Sequence, residues 1–252
     1  MVQIVNELKL DGIAEQTHAS VRQAVNQFQT DLAKDLLSIT VVGSAATETY
    51  QQGVSDINTV LLLRHLARTQ LDVISGMAKS LHKLHLGPPL LMTPEYIERS
   101  YDVFGVELLD FQRFGVTIWG ENPFGHLAFK QSEVRLQCER ELKSMLIRLR
   151  QGYIAAAGNK RLLQDLLVAT AKTSLPYLRA MQWLKDQTRE ASVEATVAGA
   201  GDALKLEIHV LADIARQHYA RSRFQDNQLL DLFDKTYKAI ETLASWVDRF
   251  EV

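Results

Sequence analysis

Residues 38–63 read SITVVGSAATETYQQGVSDINTVLLL, and the way this stretch divides decides the fold. The β-branched run from Leu37 to Gly43 is stopped by a glycine and reads as a buried strand. Ile57 to Arg64 reads as a second. Between them lie Gly43-Ser44 and, at the mouth of the second strand, Asp56-Ile57-Asn58. Residues two apart on a strand share a face, so Asp56 and Asn58 project together beside the Gly-Ser turn. Glycine lets the backbone approach a phosphate closely, and the Ser44 hydroxyl with its neighbouring N–H groups can donate to phosphate oxygens. Carboxylates on the adjacent strand would hold Mg²⁺ against those phosphates.

Working outward, Val21, Val25, Phe28 and Leu32 recur at helical spacing before the first strand. After the second, Leu71, Ile74, Met77, Leu81 and Leu84 mark an amphipathic helix that stops before Gly87 and Pro88. Residues 90–93 (LLMT) read as a short edge strand, because the preceding Pro pair restricts its start. VELLDFQ (106–112) and VTIWG (116–120) are further strand candidates. Four of the five prolines and nine of the thirteen glycines precede residue 131, and punctuation of that density suits short elements and turns. The expected organisation is therefore a mixed α/β part over 1–130 and a helical part over 131–252.

The second part carries longer stripes. Cys138, Leu142, Met145, Leu149 and Tyr153 form one; Leu163, Leu167, Thr170, Ser174, Tyr177 and Met181 form another, with Pro176 a kink. Leu204, Ile208, Leu211 and Ala215 form a third, and Phe233, Tyr237, Ile240, Leu243, Val247 and Phe250 a fourth. Four amphipathic helices imply a bundle. Residues 187–202, small and polar, read as a long connecting loop. The expected fold class is α+β, a mixed sheet with flanking helices followed by a four-helix bundle.

The Gly43-Ser44 and Asp56-x-Asn58 pattern between two apolar strands resembles the nucleotidyltransferase superfamily, the fold of DNA polymerase beta, the aminoglycoside nucleotidyltransferases and the minimal nucleotidyltransferases. The family pattern is an apolar strand, Gly-Ser or Gly-Gly, a loop, Asp-apolar-Asp/Glu, an apolar run, and a third acid on a later strand. Gly43, Ser44 and Asp56 match it, and VELLDF resembles the third-acid strand, placing Glu107 at the matching position. The resemblance covers roughly residues 15–125, and the following bundle is similar to that of kanamycin-type enzymes, where it helps to form the acceptor site. It implies in-line attack of a small-molecule or protein hydroxyl on the α-phosphate of a nucleoside triphosphate, with pyrophosphate leaving. Asp56 would be the main Mg²⁺ ligand, Asn58 a reduced one, and Glu107 the third ligand or the base, with Asp110 its competitor. On a strand Glu107 and Asp110, three apart, would point to opposite faces, so only one could serve. The departure from the pattern is Asn58. A neutral amide keeps one oxygen but removes a negative charge, which predicts weaker metal binding and weak or absent transfer. The alternative reading is a catalytically degenerate nucleotide-binding or regulatory module of the same fold.

The chain has 252 residues, with 28 Lys+Arg against 30 Asp+Glu, a formal net charge of -2. No broad basic field is available, which disfavours general nucleic-acid binding. Residues 1–130 hold 10 basic and 14 acidic side chains and residues 131–252 hold 18 and 16, so the part with the proposed metal ligands is the more acidic. Cys138 is the single cysteine and forms no internal disulfide. Glu7, Lys9, Asp11 and Glu15 interrupt any secretory leader and no run spans a bilayer, so the cytoplasm is expected, without a membrane partner.

Other candidates have simpler readings. Glu139 could serve as an acceptor-side base, but with Arg135 and Lys143 at i±4 it reads as an ion-pair row. Arg148, Arg150 and Tyr153, or the cluster Arg216, Arg221 and Arg223, could meet phosphate, yet such groups usually serve as surface charge. His82 and His85 lack a carboxylate or thiolate partner for a metal. Cys138 reads as a buried thiol, and Trp119, Trp183 and Trp246 as packing residues. A toxin-like ribonuclease reading fails on spacing, since Arg216-Gln217-His218 is too short for an Arg-x4-6-His motif.

Overall fold

The computed structural model describes residues 8–47, 49–185, 192–220, 224–225 and 227–252. The chain divides into two compact units: residues up to Tyr101 together with Phe111–Ala128, and Asp102–Asp110 together with Phe129–Val252.

The first unit is built on a four-stranded mixed sheet. Its elements are helix α1 (His18–Leu32), strands β1 (Leu36–Val42) and β2 (Asn58–Leu63), helix α2 (Arg68–Lys83), strand β3 (Leu90–Met92), helix α3 (Pro94–Ser100) and strand β4 (Val116–Gly120). The strand order is β3-β2-β1-β4; β1 is antiparallel to both neighbours and β3 runs parallel to β2. Ile39, Val41, Ile57, Leu61 and Leu63 of the sheet pack with Val21, Val25 and Phe28 of α1 and with Ile74, Met77 and Leu81 of α2. Each such side chain contributes about 1.5–3 kcal/mol on burial. The α2 stripe is narrower than its periodicity suggests, because Leu71 is exposed. LLMT is indeed an edge strand, and its Pro88-Pro89 lead-in leaves it only three residues long.

The segment VELLDFQ is not a strand. It lies in helix α4 (Gly105–Phe114), whose buried residues Val106, Leu108 and Leu109 follow helical rather than alternating spacing. Seven apolar-rich residues cannot separate the two periods by themselves. Val106 and Leu109 join the core of the helical unit, while the Gln112 amide donates to the carbonyls of Phe124 and Leu127 at 2.9 Å each, both in the sheet unit.

The second unit holds, among the described residues, helices α5 (Gln131–Ala156), α6 (Lys160–Leu184), α7 (Val193–Leu204), α8 (Val210–Tyr219) and α9 (Leu229–Arg249). Helices α5 and α6 form a hairpin whose second arm is capped by Asn159, its Oδ1 accepting from the N–H of Arg161 and Leu162 at 3.0 and 3.2 Å. Pro176 lies inside α6. Residues 193–202, expected as loop, are helical: the Ser192 hydroxyl caps α7 by accepting from Ala195 N–H at 3.1 Å, and Val193, Thr196, Val197, Ala200 and Leu204 are buried at helical spacing. Small residues and two glycines concealed that stripe. Residues 187–191 of the same segment lie outside the described residues. The expected third stripe is split accordingly, with Leu204 closing α7 and Leu211 and Ala215 lying in α8. Leu142, Leu149, Leu167, Met181, Leu211, Ile240 and Leu243 are completely buried at the centre of this unit's core.

Candidate functional site

Asp56 and Asn58 are both exposed, whereas Ile57 between them is buried in the sheet core. The alternation follows from the pleat of β2 and sends both polar side chains to one face. Two chain segments flank them. On one side Val42, the last residue of β1, is the register partner of Asn58 and leads into Gly43. On the other, Ile57 donates its N–H to the His85 carbonyl at 2.8 Å and accepts from Gly87 N–H at 3.0 Å, a parallel bridge running into β3.

Both flanking positions next to Asn58 are glycines. Gly43 has a φ of +69°, a left-handed backbone that a side chain disfavours, and a Cβ there would stand 3.4 Å from Asn58 Nδ2. A Cβ at Gly87 would stand 3.0 Å from Asn58 Oδ1 and 3.9 Å from Asp56 Cβ. The amide of Asn58 therefore lies between two side-chain-free backbones, Gly43 and Gly87.

The turn itself is a short 3₁₀ segment, Gly43–Ala46, anchored by Ala14 N–H donating to Ala45 O at 2.9 Å. Thr47 donates from N–H and from its hydroxyl to Ser44 O, at 3.2 and 3.3 Å, and its hydroxyl meets that of Thr49 at 2.8 Å. Further along, the Ser55 hydroxyl accepts from Gln51 N–H at 3.2 Å. Tyr50 belongs to the same rim, although sequence reasoning passed over it. Its side chain packs on the sheet core, and burial followed by the negative charge of Asp56 pushes its hydroxyl above the ordinary range. Its only sequence signal was an aromatic residue six positions before Asp56.

Glu107 stands in a different setting from the one expected. It lies in α4 rather than on a sheet strand, and its carboxylate accepts from Gln137 Nε2 at 2.5 Å. Buried Gln137 in turn accepts at Oε1 from Val106 N–H at 2.8 Å. Burial first, then the charge of Glu107, pushes both the Cys138 thiol and the Tyr177 hydroxyl up, so Glu107 is part of the interior chemistry of the helical unit. The strand beside β2 is β3, Leu90-Leu91-Met92, which supplies no acid. Asp110, the competitor of Glu107, is about a tenth exposed, and its carboxylate accepts from Arg179 Nη1 of α6 at 3.1 Å. Three apart in a helix, Glu107 and Asp110 also no longer lie on opposite sides.

The remaining candidates have structural partners. Glu139 pairs with Arg135 at 3.1 Å and Lys143 at 2.5 Å, and Lys143 also reaches Asp248 of α9 at 3.2 Å. Arg150 donates to the Tyr237 hydroxyl at 2.8 Å, Tyr153 packs at a tilt against Phe233 at 4.5 Å between centroids, and Trp246 stacks on Phe250 at 4.8 Å. Trp119 and Trp183 pack, partly buried, against the cores of their own units. Cys138 is completely buried. Arg216 pairs with Asp213 and Glu194, while Arg221 and Arg223 lie outside the described residues. His82 and His85 belong to no metal-binding group: among the described residues no three His, Cys, Asp or Glu side chains gather closely enough to hold an ion. No helix among them is long and apolar enough to cross a membrane.

Among the described residues the donor set at the rim is thus one carboxylate, Asp56, and one amide oxygen, Asn58. One or two carboxylates plus substrate phosphates is the usual share of a magnesium site, so these residues fit one ion carried on phosphates. They lack the second carboxylate of a paired-ion site. At about 4 Å in water-like surroundings, replacing a carboxylate by an amide forgoes roughly 2 kcal/mol of attraction to a divalent ion.

Comparison with protein-family models and with curated proteins finds no match. Among solved structures the chain is similar to the crystal structure of spectinomycin adenyltransferase AAD(9) from Enterococcus faecialis with ATP and spectinomycin. The TM-score is 0.57 at 8% sequence identity, over 92% of this chain and 99% of that chain. At this identity the likeness establishes the fold, α+β with a mixed sheet followed by helices.

Proposed function

We propose that the chain is a nucleotide-binding module on a nucleotidyltransferase-type fold, with nucleotidyl transfer weak or lost. The observation that carries this reading is the acid count at the β2 rim among the described residues: Asp56 is joined by Asn58 and Gly87, and β3 brings no carboxylate. The left-handed Gly43 and the Ser44 hydroxyl support a phosphate site there. Bound magnesium would neutralise phosphate charge, and Asp56 with Asn58 would hold it. The similar solved structure contains ATP, which makes ATP the first nucleotide to test.

A thermal-shift panel of the four nucleoside triphosphates, with and without Mg²⁺, tests the reading. One nucleotide should raise the melting temperature in the presence of Mg²⁺, since a ligand at 100 times its dissociation constant adds about 2.7 kcal/mol. Asp56→Ala should abolish the shift. No shift from any nucleotide overturns the reading.

The transfer reading is the second one, favoured by the same Gly-Ser turn beside Asp56. It keeps Asp56 as the main metal ligand, Asn58 as a reduced one and Glu107 as third ligand or base, and it moves a nucleoside monophosphate, AMP first, to a small-molecule or protein hydroxyl. Label passing from the α-phosphate of ATP to an acceptor, spectinomycin among those tried, and lost in Asp56→Ala, would establish it over the binding reading.

A further inference from the structure

We infer that the chain pairs with a second copy of itself through an apolar patch at the end of the α5–α6 hairpin, where α9 begins. Every residue involved lies in the helical unit, so the pairing is independent of the nucleotide reading.

Most large apolar side chains of this unit are buried, but those gathered at this end are not. Tyr153, Leu162 and Leu230 are about half exposed, and Ile154 is 75% exposed. Tyr153, Ile154 and Leu230, together with buried Leu163 and Leu229, line a cavity of about 350 Å³. Its polar members, Asn159 and Lys160, stand at the start of α6, where the Asn159 side chain is already engaged as the cap. Tyr153 is braced from behind by Phe233 of α9. The cavity therefore offers an occupant shape and apolar surface.

A protruding group and a cavity on one surface are what a twofold pair requires, since each copy presents the same patch to the other. At roughly 30 Å³ for each carbon-sized group, the four side-chain carbons of an isoleucine and the four of a leucine fill about 240 Å³. The cavity thus has room for Ile154 of a facing copy with Leu230 beside it.

Charge at the rim favours a second copy over an unrelated apolar partner, and it fixes the axis. Among the described residues at the α6 start, Lys160 and Arg161 outweigh Asp165; at the α9 start, Asp231 and Asp234 outweigh Lys235, which pairs with Asp231 at 2.7 Å. A twofold axis lying in the patch between the two helix starts lays the α6 side of each copy on the α9 side of the other, positive on negative. Turned by a quarter, the same axis would set like on like.

Area sets the strength. Four large side chains at these exposures present on the order of 400 Å² of apolar surface. That is about half of the roughly 800 Å² a standard interface covers on each partner, so the pair is weak and concentration-dependent.

Sedimentation velocity on the full chain, from about 1 to about 200 µM, should show monomer giving way to dimer. Ile154→Asp, a change at an exposed position, should weaken the pairing at least tenfold with an unchanged circular dichroism spectrum. Arg161→Asp should weaken it likewise, and adding Asp234→Arg should restore most of the loss, because the exchanged charges again meet across the axis. A chain monomeric throughout, a dimer indifferent to Ile154→Asp, or a double exchange no tighter than the single one would each overturn the inference. A monomer that instead binds a small apolar dye, with the binding lost in Ile154→Asp, would assign the cavity to a small ligand and overturn it as well.

Discussion

Gly43 holds its backbone at a φ of +69°, and its missing Cβ would make only an ordinary contact at 3.4 Å with Asn58 Nδ2. The cost of a side chain there is therefore conformational. Gly43→Ala should lower stability by about 1–2 kcal/mol, read as a shift in the urea midpoint, and Gly43→Asn should cost less because asparagine tolerates left-handed backbone. Equal losses in both variants would show that contact rather than conformation rules the position. Asp56 and Asn58 were legible in the sequence because strand alternation depends only on local geometry, and the buried Ile57 between them carries the same signal. Gly87 and Tyr50 were not. Gly87 matters through a parallel bridge to Ile57, thirty positions earlier, and Tyr50 through the charge of Asp56; neither relation leaves a local pattern.

Two elements depart from the sequence reading, each for its own physical reason. Helix α4 carries a strand-like apolar pattern whose Val106 and Leu109 belong to the helical core, and α7 reads as a loop because its small residues and two glycines dilute the stripe of Val193, Val197, Ala200 and Leu204. Ser192→Ala should cost about 1 kcal/mol by removing the α7 cap, with helix content measured by circular dichroism as the check. The Asp110–Arg179 pair joins α4 to α6 with both side chains about a tenth exposed, and Arg179 Nε also donates to Thr196 of α7 at 3.4 Å. Arg179→Met should destabilise by about 3–5 kcal/mol by leaving a buried carboxylate uncompensated. Burial already pushes the Asp110 carboxyl up and Arg179 opposes this, so the variant's carboxyl rises further. A raised carboxyl binds its proton more tightly in the folded state, and the folded state loses that advantage as pH rises through the raised value. The variant's deficit against the unaltered chain should therefore shrink as pH falls from neutral toward the ordinary carboxylate range. A deficit constant with pH would show that Asp110 stays ionised without its partner.

Across the whole molecule, the class of fold was readable because the two parts differ in punctuation and period: turn-rich sequence with β-branched runs before residue 131, long helical stripes after it. The small charge difference between the parts said less than the change from one carboxylate to an amide at residue 58. The course of α4 has a consequence for anyone who would take this protein apart. The chain passes between the two units at residues 101–102, 110–111 and 128–129, so neither unit is a continuous piece of polypeptide. A gene cut near residue 130 would strand Val106 and Leu109 on the wrong fragment and leave a gap in the other's interior. Residues 129–252 produced alone should bind a hydrophobic dye such as ANS and lose it when a peptide of residues 102–112 is added. A fragment already tight without the peptide would show that the insert is dispensable. Shuffling this helical part onto another sheet unit would, by the same logic, require carrying over a nine-residue passage from the middle of its neighbour, so the protein is modular in architecture without being modular in its gene.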